Sequence, residues 1–183
     1  MTDIEYLRSL ANGFGASARR LASEVLDDPV FQACSGSSTP GRHHYGDGGL
    51  ATHTAEVVRI SQAMLTALPG VSDGDDRLLF LAAVFHDWAK TREYVKNEAG
   101  VWTQALFCQD IGHVVGSAMM WDLVAREHVF PDDKRLLITH LILAHHGRRE
   151  WGSPVEPNHR LAWVLHLADM TSARWCDNGE GKK

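Results

Sequence analysis

Cysteine is scarce in this sequence. The chain has 183 residues and three cysteines, Cys34, Cys108 and Cys176, which are odd in number and unevenly spaced. This pattern argues against a disulfide framework and against a zinc site built from thiolates. Any metal chemistry is therefore expected to depend on histidine and carboxylate side chains.

Long apolar runs and an excess of positive charge are also missing. No stretch approaches the roughly 18 uncharged apolar residues of a membrane span, and the first residues lack a basic region followed by an apolar block. The expected location is therefore the cytoplasm. The net charge of -5 argues against broad binding to a phosphate backbone, and 44% apolar residues with 22% charged residues indicate one globular domain.

Most patterned segments have helical periodicity. Apolar residues recur every three or four positions in residues 1–26, and further helices are predicted at residues 50–68, 78–90, 112–127, 132–146 and 158–175. Asp75 or Asp76 is the predicted N-cap of the helix at 78–90. The sequence therefore predicts an all-α, single-domain helical bundle without internal repeats. We divide it into an N-terminal helical segment (1–34), a core domain (35–176) and a fraying tail (177–183).

Two segments break the helical pattern. Residues 27–49 are rich in glycine, serine and aspartate and are predicted to form a loop. Residues 91–110 are ambiguous, although Tyr94-Val95 and Val101-Trp102 can pair as a short hairpin.

Potential metal ligands follow or lie within the predicted helices. They are His53, His86, Asp87, His113, His145, His146 and Asp169. Imidazole nitrogens and carboxylate oxygens form the sites of Zn, Mn, Fe and Ni, and side chains from facing helices can converge in a bundle core. The series therefore predicts a buried, ligand-lined metal site.

The run from Leu78 to Phe85 is apolar on every side, which predicts a central helix. Asp87 follows this run, so its carboxylate is expected in low-dielectric surroundings. Burial of a carboxylate is costly unless the group is paired or bound to a cation. A metal ion meets that need, and an ordinary ion pair with Lys90 or Arg92 is the alternative.

His53, the pair His86-Asp87 and Asp169 resemble, in this order, the H…HD…D signature of the HD phosphohydrolase superfamily. Residues 42–54 and 144–155 resemble the HD domain of YhaM-type 3′–5′ exoribonucleases, and the similarity extends over residues 40–175. The resemblance implies a first metal site that is formed by four residues: His53, His86, Asp87 and Asp169.

The resemblance also implies a second site. His113 and His145 match additional histidines of the family members that bind two metal ions. In such a site Asp87 would bridge the two ions. His146 is a third ligand or a neighbour that faces substrate. One or two divalent transition-metal ions (Mn, Fe, Co, Ni or Zn) suit this ligand set better than Mg²⁺ does. Lys90 matches the lysine of HDxxK motifs and would act with Asp87 in catalysis by stabilising charge on the phosphoryl group.

Four residues are candidates for substrate contact. His43 and His44 lie in the glycine-rich loop and would contact substrate or a metal-bound water, with a solvated pair as the alternative. Arg148 can hold a phosphate through two hydrogen bonds, or it is an ordinary surface residue. Trp151 follows the histidine pair and can contact a base, with packing as the alternative.

The predicted function is hydrolysis of phosphoester bonds in a nucleotide or short oligonucleotide by metal-activated water. The alternatives are a dNTP triphosphohydrolase, an HD-type di-iron oxygenase and a non-catalytic nucleotide sensor. YhaM-type enzymes carry an OB-fold domain before the HD domain, whereas residues 1–40 are predicted here as helix and loop. We therefore expect no domain that binds long nucleic acids. No membrane partner is expected either, and a homodimer is a candidate assembly.

Overall fold

The computed structural model describes residues 1–175 and is built almost entirely of helices. The predicted all-α class is confirmed. The helices are α1 (Asp3–Gly13), α2 (Ala16–Leu26), α3 (Pro29–Ala33), α4 (Gly49–Ala67), α5 (Asp73–Phe85), α6 (Lys90–Glu93), α7 (Leu106–Asp110), α8 (His113–Glu127), α9 (Asp132–Ala144) and α10 (Arg160–Arg174), with a 3-10 turn at Arg149–Trp151. The predicted tail, 177–183, lies outside the described residues.

Helix α5 lies at the centre of the bundle. Every residue from Leu78 to Phe85 is buried, and the helix contacts α2, α4, α9 and α10. The prediction of a central helix is confirmed. Its predicted N-cap is wrong, because the hydroxyl of Ser72 caps the helix by accepting from the N–H of Asp75, whose carboxylate accepts from the N–H of Ser72 in return.

Helix α5 ends at Phe85 and does not continue to Lys90 as predicted. The N–H groups of Trp88 and Lys90 donate to the carbonyls of Phe85 and Asp87, so the chain tightens into consecutive turns. The apolar pattern runs on through this segment, and periodicity alone does not distinguish a turn from a helix. The turn leaves His86 and Asp87 at the end of the central helix.

The helices around α5 carry the other predicted ligands. Helices α4 and α10 pack against each other and contain His53 and Asp169. Helix α9 packs on α5 and α8 and ends immediately before His145, while α8 begins at His113. Five elements thus meet at one end of the bundle.

The two irregular segments contain more structure than their sequences indicate. The predicted hairpin is confirmed as strands β1 (Tyr94–Lys96) and β2 (Trp102–Gln104), which pair antiparallel between α6 and α7. The loop prediction for residues 27–49 is wrong at α3. Asp28 caps this helix by accepting from the N–H of Val30, and a proline occupies its first turn.

One hydrophobic core joins the elements. Leu7 of α1 and Leu21 and Val25 of α2 are fully buried in it together with side chains of α4, α5, α8, α9 and α10. The domain boundary between residues 34 and 35 stays a prediction. Among the helices of residues 1–175, none has both the length and the apolar character that crossing a membrane requires.

Candidate metal centre

The four residues of the predicted first site converge and are all buried. Nε2 of His53 lies 3.1 Å from Oδ1 of Asp169 and 3.4 Å from Oδ2 of Asp87. Nε2 of His86 lies 3.3 Å from Nε2 of His53 and 3.4 Å from Oδ2 of Asp87. Bonds of about 2.1 Å to one ion, at tetrahedral or octahedral angles, separate ligand atoms by about 3.0–3.4 Å. The spacing of these atoms therefore fits a single ion.

The remaining predicted ligands form a second group beside the first. Nε2 of His113 lies 3.2 Å from Nε2 of His146, and both rings lie close to that of His145. Oδ1 of Asp87 lies 3.6 Å from Nε2 of His113 and 3.7 Å from Nε2 of His145. The two oxygens of Asp87 thus face different ligand groups, as a bridging carboxylate requires.

The fit of this ligand set to metal ions can be tested on Asp87 itself. Its Oδ1 is buried and has no hydrogen-bond partner among the described residues. Leaving a buried polar atom unsatisfied costs on the order of 1–3 kcal/mol, and more for a charged group. A cation bound between Oδ1 and the neighbouring histidines would remove this cost, so the residues fit the group.

Hydrogen bonds fix which ring nitrogen of each histidine is free. Nδ1 of His86 donates to the carbonyl of Ala83 at 2.7 Å, and Nδ1 of His145 donates to the carbonyl of Ile142 at 2.6 Å. A carbonyl can only accept, so each Nδ1 carries a proton and a neutral ring presents a lone pair at Nε2. This is the usual arrangement of a metal-ligating histidine.

The second group has the same arrangement. Nδ1 of His146 donates to the carbonyl of Trp151 at 3.0 Å, and Nδ1 of His113 donates to Oε2 of Glu93 at 2.8 Å. In neutral rings the Nε2 lone pairs of His113 and His146 would therefore point at each other. A cation between them turns this repulsion into attraction.

Ser172 and Glu56 orient His53. Nδ1 of His53 lies 2.9 Å from Oγ of Ser172, whose hydroxyl donates to Oε2 of Glu56 at 2.9 Å. Neither residue was predicted from the sequence, although both carry a helical signal: Glu56 follows His53 by three positions, and Ser172 follows Asp169 by three. Spacing of this kind places two side chains on one helix face.

Lys90 contacts the first group directly. Its Nζ lies 2.6 Å from Oδ2 of Asp87 and donates to the carbonyl of Gly36 at 3.1 Å. Burial alone would raise the pKa of Asp87, but the charge of Lys90 outweighs burial and holds that pKa well below its ordinary value. The ion pair that was the alternative explanation for Asp87 is thus present, yet it involves Oδ2 and leaves Oδ1 without a partner.

The histidines differ in how readily they take up a proton. Burial lowers the pKa of His145 well below its ordinary value and also lowers that of His146, so both rings are neutral at neutral pH. Burial also disfavours the charged form of His53, but hydrogen bonds with Asp169 and Asp87 outweigh it and raise the pKa of His53. Protons therefore compete with metal ions most strongly at His53.

A cavity of about 370 Å³ opens over the ligand groups. Of the residues predicted to contact substrate, His43, His44 and Trp151 line this cavity. Arg148 is outside the lining, and its guanidinium lies over the ring of Trp151 at 5.1 Å from the centroid. Further lining residues that our sequence analysis did not assign to the site are Arg42, Tyr94 and Arg174.

Comparison with known proteins shows the family of the chain. The model of the HD domain family matches residues 50–174. The 3'-5' exoribonuclease YhaM of Shouchella clausii is 35% identical over 132 residues, and that of Bacillus subtilis is 31% identical over 134 residues. Each alignment covers 72% of this chain, and the chain spans about 40% of the length of these relatives. No solved structure matches significantly. The chain therefore belongs to the HD domain family, the metal-dependent phosphohydrolase family that its sequence motifs predicted.

Proposed function

We propose that this chain is a divalent-metal-dependent phosphohydrolase that cleaves phosphoester bonds in a short oligonucleotide or nucleotide. Membership of the HD domain family supports the reaction class. The similarity to 3'-5' exoribonucleases supports a nucleic-acid substrate. Because the chain spans about 40% of those relatives, we propose a short oligonucleotide and do not extend their whole activity to it.

The observation that carries the proposal is the position of Asp87 between two ligand groups. Its Oδ2 faces His53 and His86, and its buried Oδ1 faces His113 and His145. When bound in these groups, two divalent ions supply charge neutralisation at a phosphoryl group and activation of a water molecule. The mixed nitrogen and oxygen ligands favour Mn, Fe, Co, Ni or Zn over Mg²⁺.

The protein residues around the ions have separate tasks. Asp87 holds the two ligand groups together, and Asp169 adds a second buried carboxylate to the first group. Lys90 keeps its positive charge inside the site, because Asp87 outweighs the effect of burial and raises the pKa of Lys90. We propose that this charge stabilises the negative charge that develops on the phosphoryl group.

The cavity wall supports binding of a nucleotide. His43 and His44 stand beside the first ligand group and can donate to phosphate oxygens. Trp151 presents a half-exposed indole on the opposite, second-group side, since its carbonyl holds His146. We propose that Trp151 contacts a base and that Arg148 supports the indole from above.

Metal-resolved turnover tests the proposal. The protein is stripped with a chelator, reconstituted separately with Mn²⁺, Co²⁺, Ni²⁺, Fe²⁺ and Mg²⁺, and given bis-p-nitrophenyl phosphate, dNTPs and a short labelled RNA. We expect hydrolysis of RNA with a transition metal and loss of at least about 1000-fold in Asp87→Ala, because removing the bridging carboxylate disrupts both groups. Asp133→Asn, at an exposed position in the first turn of α9, is the matched control.

The alternatives are distinct outcomes of the same experiment. Turnover of dNTPs without RNA hydrolysis would identify a dNTP triphosphohydrolase. Oxygen consumption by the iron-loaded protein would identify an oxygenase, and tight nucleotide binding without turnover under every metal would identify a sensor. Full phosphoesterase activity in Asp87→Ala would refute the proposed role of the centre.

A further inference from the structure

A third cluster of ligand-type side chains lies beside the first group. It consists of His43, His44 and Glu56, whose ligand atoms all lie within 4.8 Å of one another. Nε2 of His44 is 2.9 Å and Nε2 of His43 is 3.3 Å from the same carboxylate oxygen, Oε2 of Glu56. Two imidazoles thus converge on one oxygen at the cavity wall.

The spacing of these atoms matches that of the first ligand group. Separations of 2.9 and 3.3 Å lie at or close to the roughly 3.0–3.4 Å that bonds of about 2.1 Å to one ion require. Oε2 of Glu56 also accepts from the hydroxyl of Ser172 at 2.9 Å, so three donors crowd one oxygen. Hydrogen bonding alone accounts well for one or two contacts to this oxygen. A cation shared by His43, His44 and Glu56 also explains why both imidazole rings turn toward the carboxylate of Glu56.

The loop that carries the histidines is held in an uncommon conformation. His44 has a φ of 63°, in the left-handed region that non-glycine residues rarely adopt. Its carbonyl accepts from the N–H of Gly36 at 2.9 Å and lies so close to Gly49 that a side chain there would collide with it. The backbone therefore holds the imidazole of His44 against Glu56, at a cost that a bound ligand can offset.

The cluster is accessible and adjoins the first group. His43 and His44 line the same cavity as Asp87 and Lys90, and the side chain of His43 is 20% exposed. The rings of His44 and His53 have centroids 4.9 Å apart. An ion at this cluster would stand in the path by which substrate phosphates approach the centre.

We propose that His43, His44 and Glu56 form a third cation site that takes a divalent transition-metal ion and binds a phosphate of the substrate next to the one that is cleaved. Imidazole and carboxylate ligands select a transition metal over Mg²⁺, and three protein ligands leave coordination positions for phosphate oxygens. The phosphate-binding part of this inference rests on the proposed function; the cation site itself does not.

The number of ions bound without substrate tests the site. Chelator-stripped full-length protein is dialysed against saturating Mn²⁺, and bound manganese per chain is measured by elemental analysis. We expect three ions in the wild-type protein and two in Glu56→Gln and in His44→Asn, since asparagine tolerates the left-handed backbone of position 44. His43→Asn, at the exposed rim, is a further variant with the same expected loss of one ion and the least effect on folding.

Ser172→Ala is the matched control, because it removes the hydroxyl that hydrogen-bonds to both Glu56 and His53 and leaves all three ligands in place. It should still bind three ions. Two ions in the wild-type protein and an equal number in Glu56→Gln would overturn the site and leave a hydrogen-bonded cluster. An equal loss of bound ions in Glu56→Gln and Ser172→Ala would also overturn the third cation site. Glu56 would then affect metal binding by orienting His53 through Ser172 and not as a ligand.

The result is separable from the test of the proposed function. Three bound ions without phosphoesterase activity would leave the cation site standing and remove the proposed reaction. Hydrolysis of RNA by a wild-type protein that binds only two ions would support the proposed reaction and remove the third cation site. Circular dichroism of each variant shows whether the helical fold is kept, so that loss of an ion is assigned to the substituted ligand.

Discussion

Oε2 of Glu93 accepts two hydrogen bonds from His113, one from its backbone N–H at 2.7 Å and one from Nδ1 at 2.8 Å. Glu93 is buried, and burial alone would raise the pKa of its carboxyl. The hydrogen bonds from His113 outweigh burial and lower that pKa, so Glu93 is ionised at neutral pH. The pair fixes both the start of α8 and the direction of the ring that faces Asp87.

Glu93→Gln should therefore weaken the second ligand group. The amide keeps the size of the side chain but loses the charge that orients His113 and increases its basicity. We expect Mn²⁺ affinity at one site to fall roughly 10- to 100-fold, the usual effect of losing the partner of a ligating histidine. Isothermal titration with Mn²⁺ measures it, and Glu98→Gln in the exposed hairpin turn is the control. Unchanged affinity would mean that Glu93 serves only to begin α8.

Removal of metal ions should destabilise the protein, because Asp87 and Asp169 are buried beside three buried histidines, His53, His86 and His145. Mn²⁺ at about 100 times its Kd should add roughly 3 kcal/mol per site to the free energy of unfolding. Urea unfolding with chelator and with Mn²⁺ measures this difference. Asp87→Asn should lose most of this difference, while Asp133→Asn, at an exposed position of α9, should keep it. Equal stability of the wild-type protein with and without Mn²⁺ would contradict an ion at this position.

The sequence predicted the part of the molecule that depends on local patterns. The apolar run from Leu78 to Phe85 indicated a central helix, and the helical spacing of the chain indicated an all-α bundle. The N-cap of α5 was missed because Ser72, Asp75 and Asp76 are all residue types that cap helices. Choosing among them needs the hydroxyl of Ser72 and the N–H of Asp75 in three dimensions.

The residues that support the ligands were harder to predict because their contacts are long-range. Glu93 lies in the segment that the sequence left ambiguous, and its partner His113 is 20 positions away. Ser172 contacts His53 across 119 positions. Motif similarity predicts candidate ligands, whereas the acids and hydroxyls that orient them appear only when helices from distant parts of the chain are packed together.

The metal-free protein should lose stability as the pH falls from about 7 to about 4. Burial lowers the pKa of His145 well below its ordinary value, lowers that of His146, and together with His53 lowers that of His44 to about 4. The unfolded chain takes up protons at these histidines near pH 6.5, where the folded protein does not, so acid favours unfolding. The pKa of His140 is lowered by burial as well, so the raised pKa of His53 opposes four groups.

Urea unfolding in chelator at about pH 7 and about pH 5 measures this loss. His44→Asn removes one of the four described histidines with a lowered pKa and should make the loss smaller. Asn12→Ala, at an exposed position without a titratable side chain, should leave it unchanged. A free energy of unfolding that is the same at both pH values would show that the buried rings take up protons without cost.

Trp151 and Trp163 provide a matched pair for testing base recognition. Both indoles are about half exposed, at 46% and 52%, and both contact the ring of His166, but of the two only Trp151 lines the cavity. Stacking of one base on an aromatic side chain contributes about 1–3 kcal/mol. Trp151→Ala should therefore raise the KM for short RNA roughly 5- to 150-fold. The kcat should stay close to that of the wild-type protein, since the backbone carbonyl that accepts from His146 remains.

Trp163→Ala should leave both constants for RNA unchanged, because its indole is not part of the cavity lining. Steady-state kinetics of both variants on the same labelled RNA gives the comparison. If the two substitutions raise KM equally, the indoles act through His166 and the packing of α10, and Trp151 has no contact with a base. If Trp151→Ala lowers kcat and the bound metal together, the side chain is needed to keep its own carbonyl on His146, and its role is to hold the second ligand group.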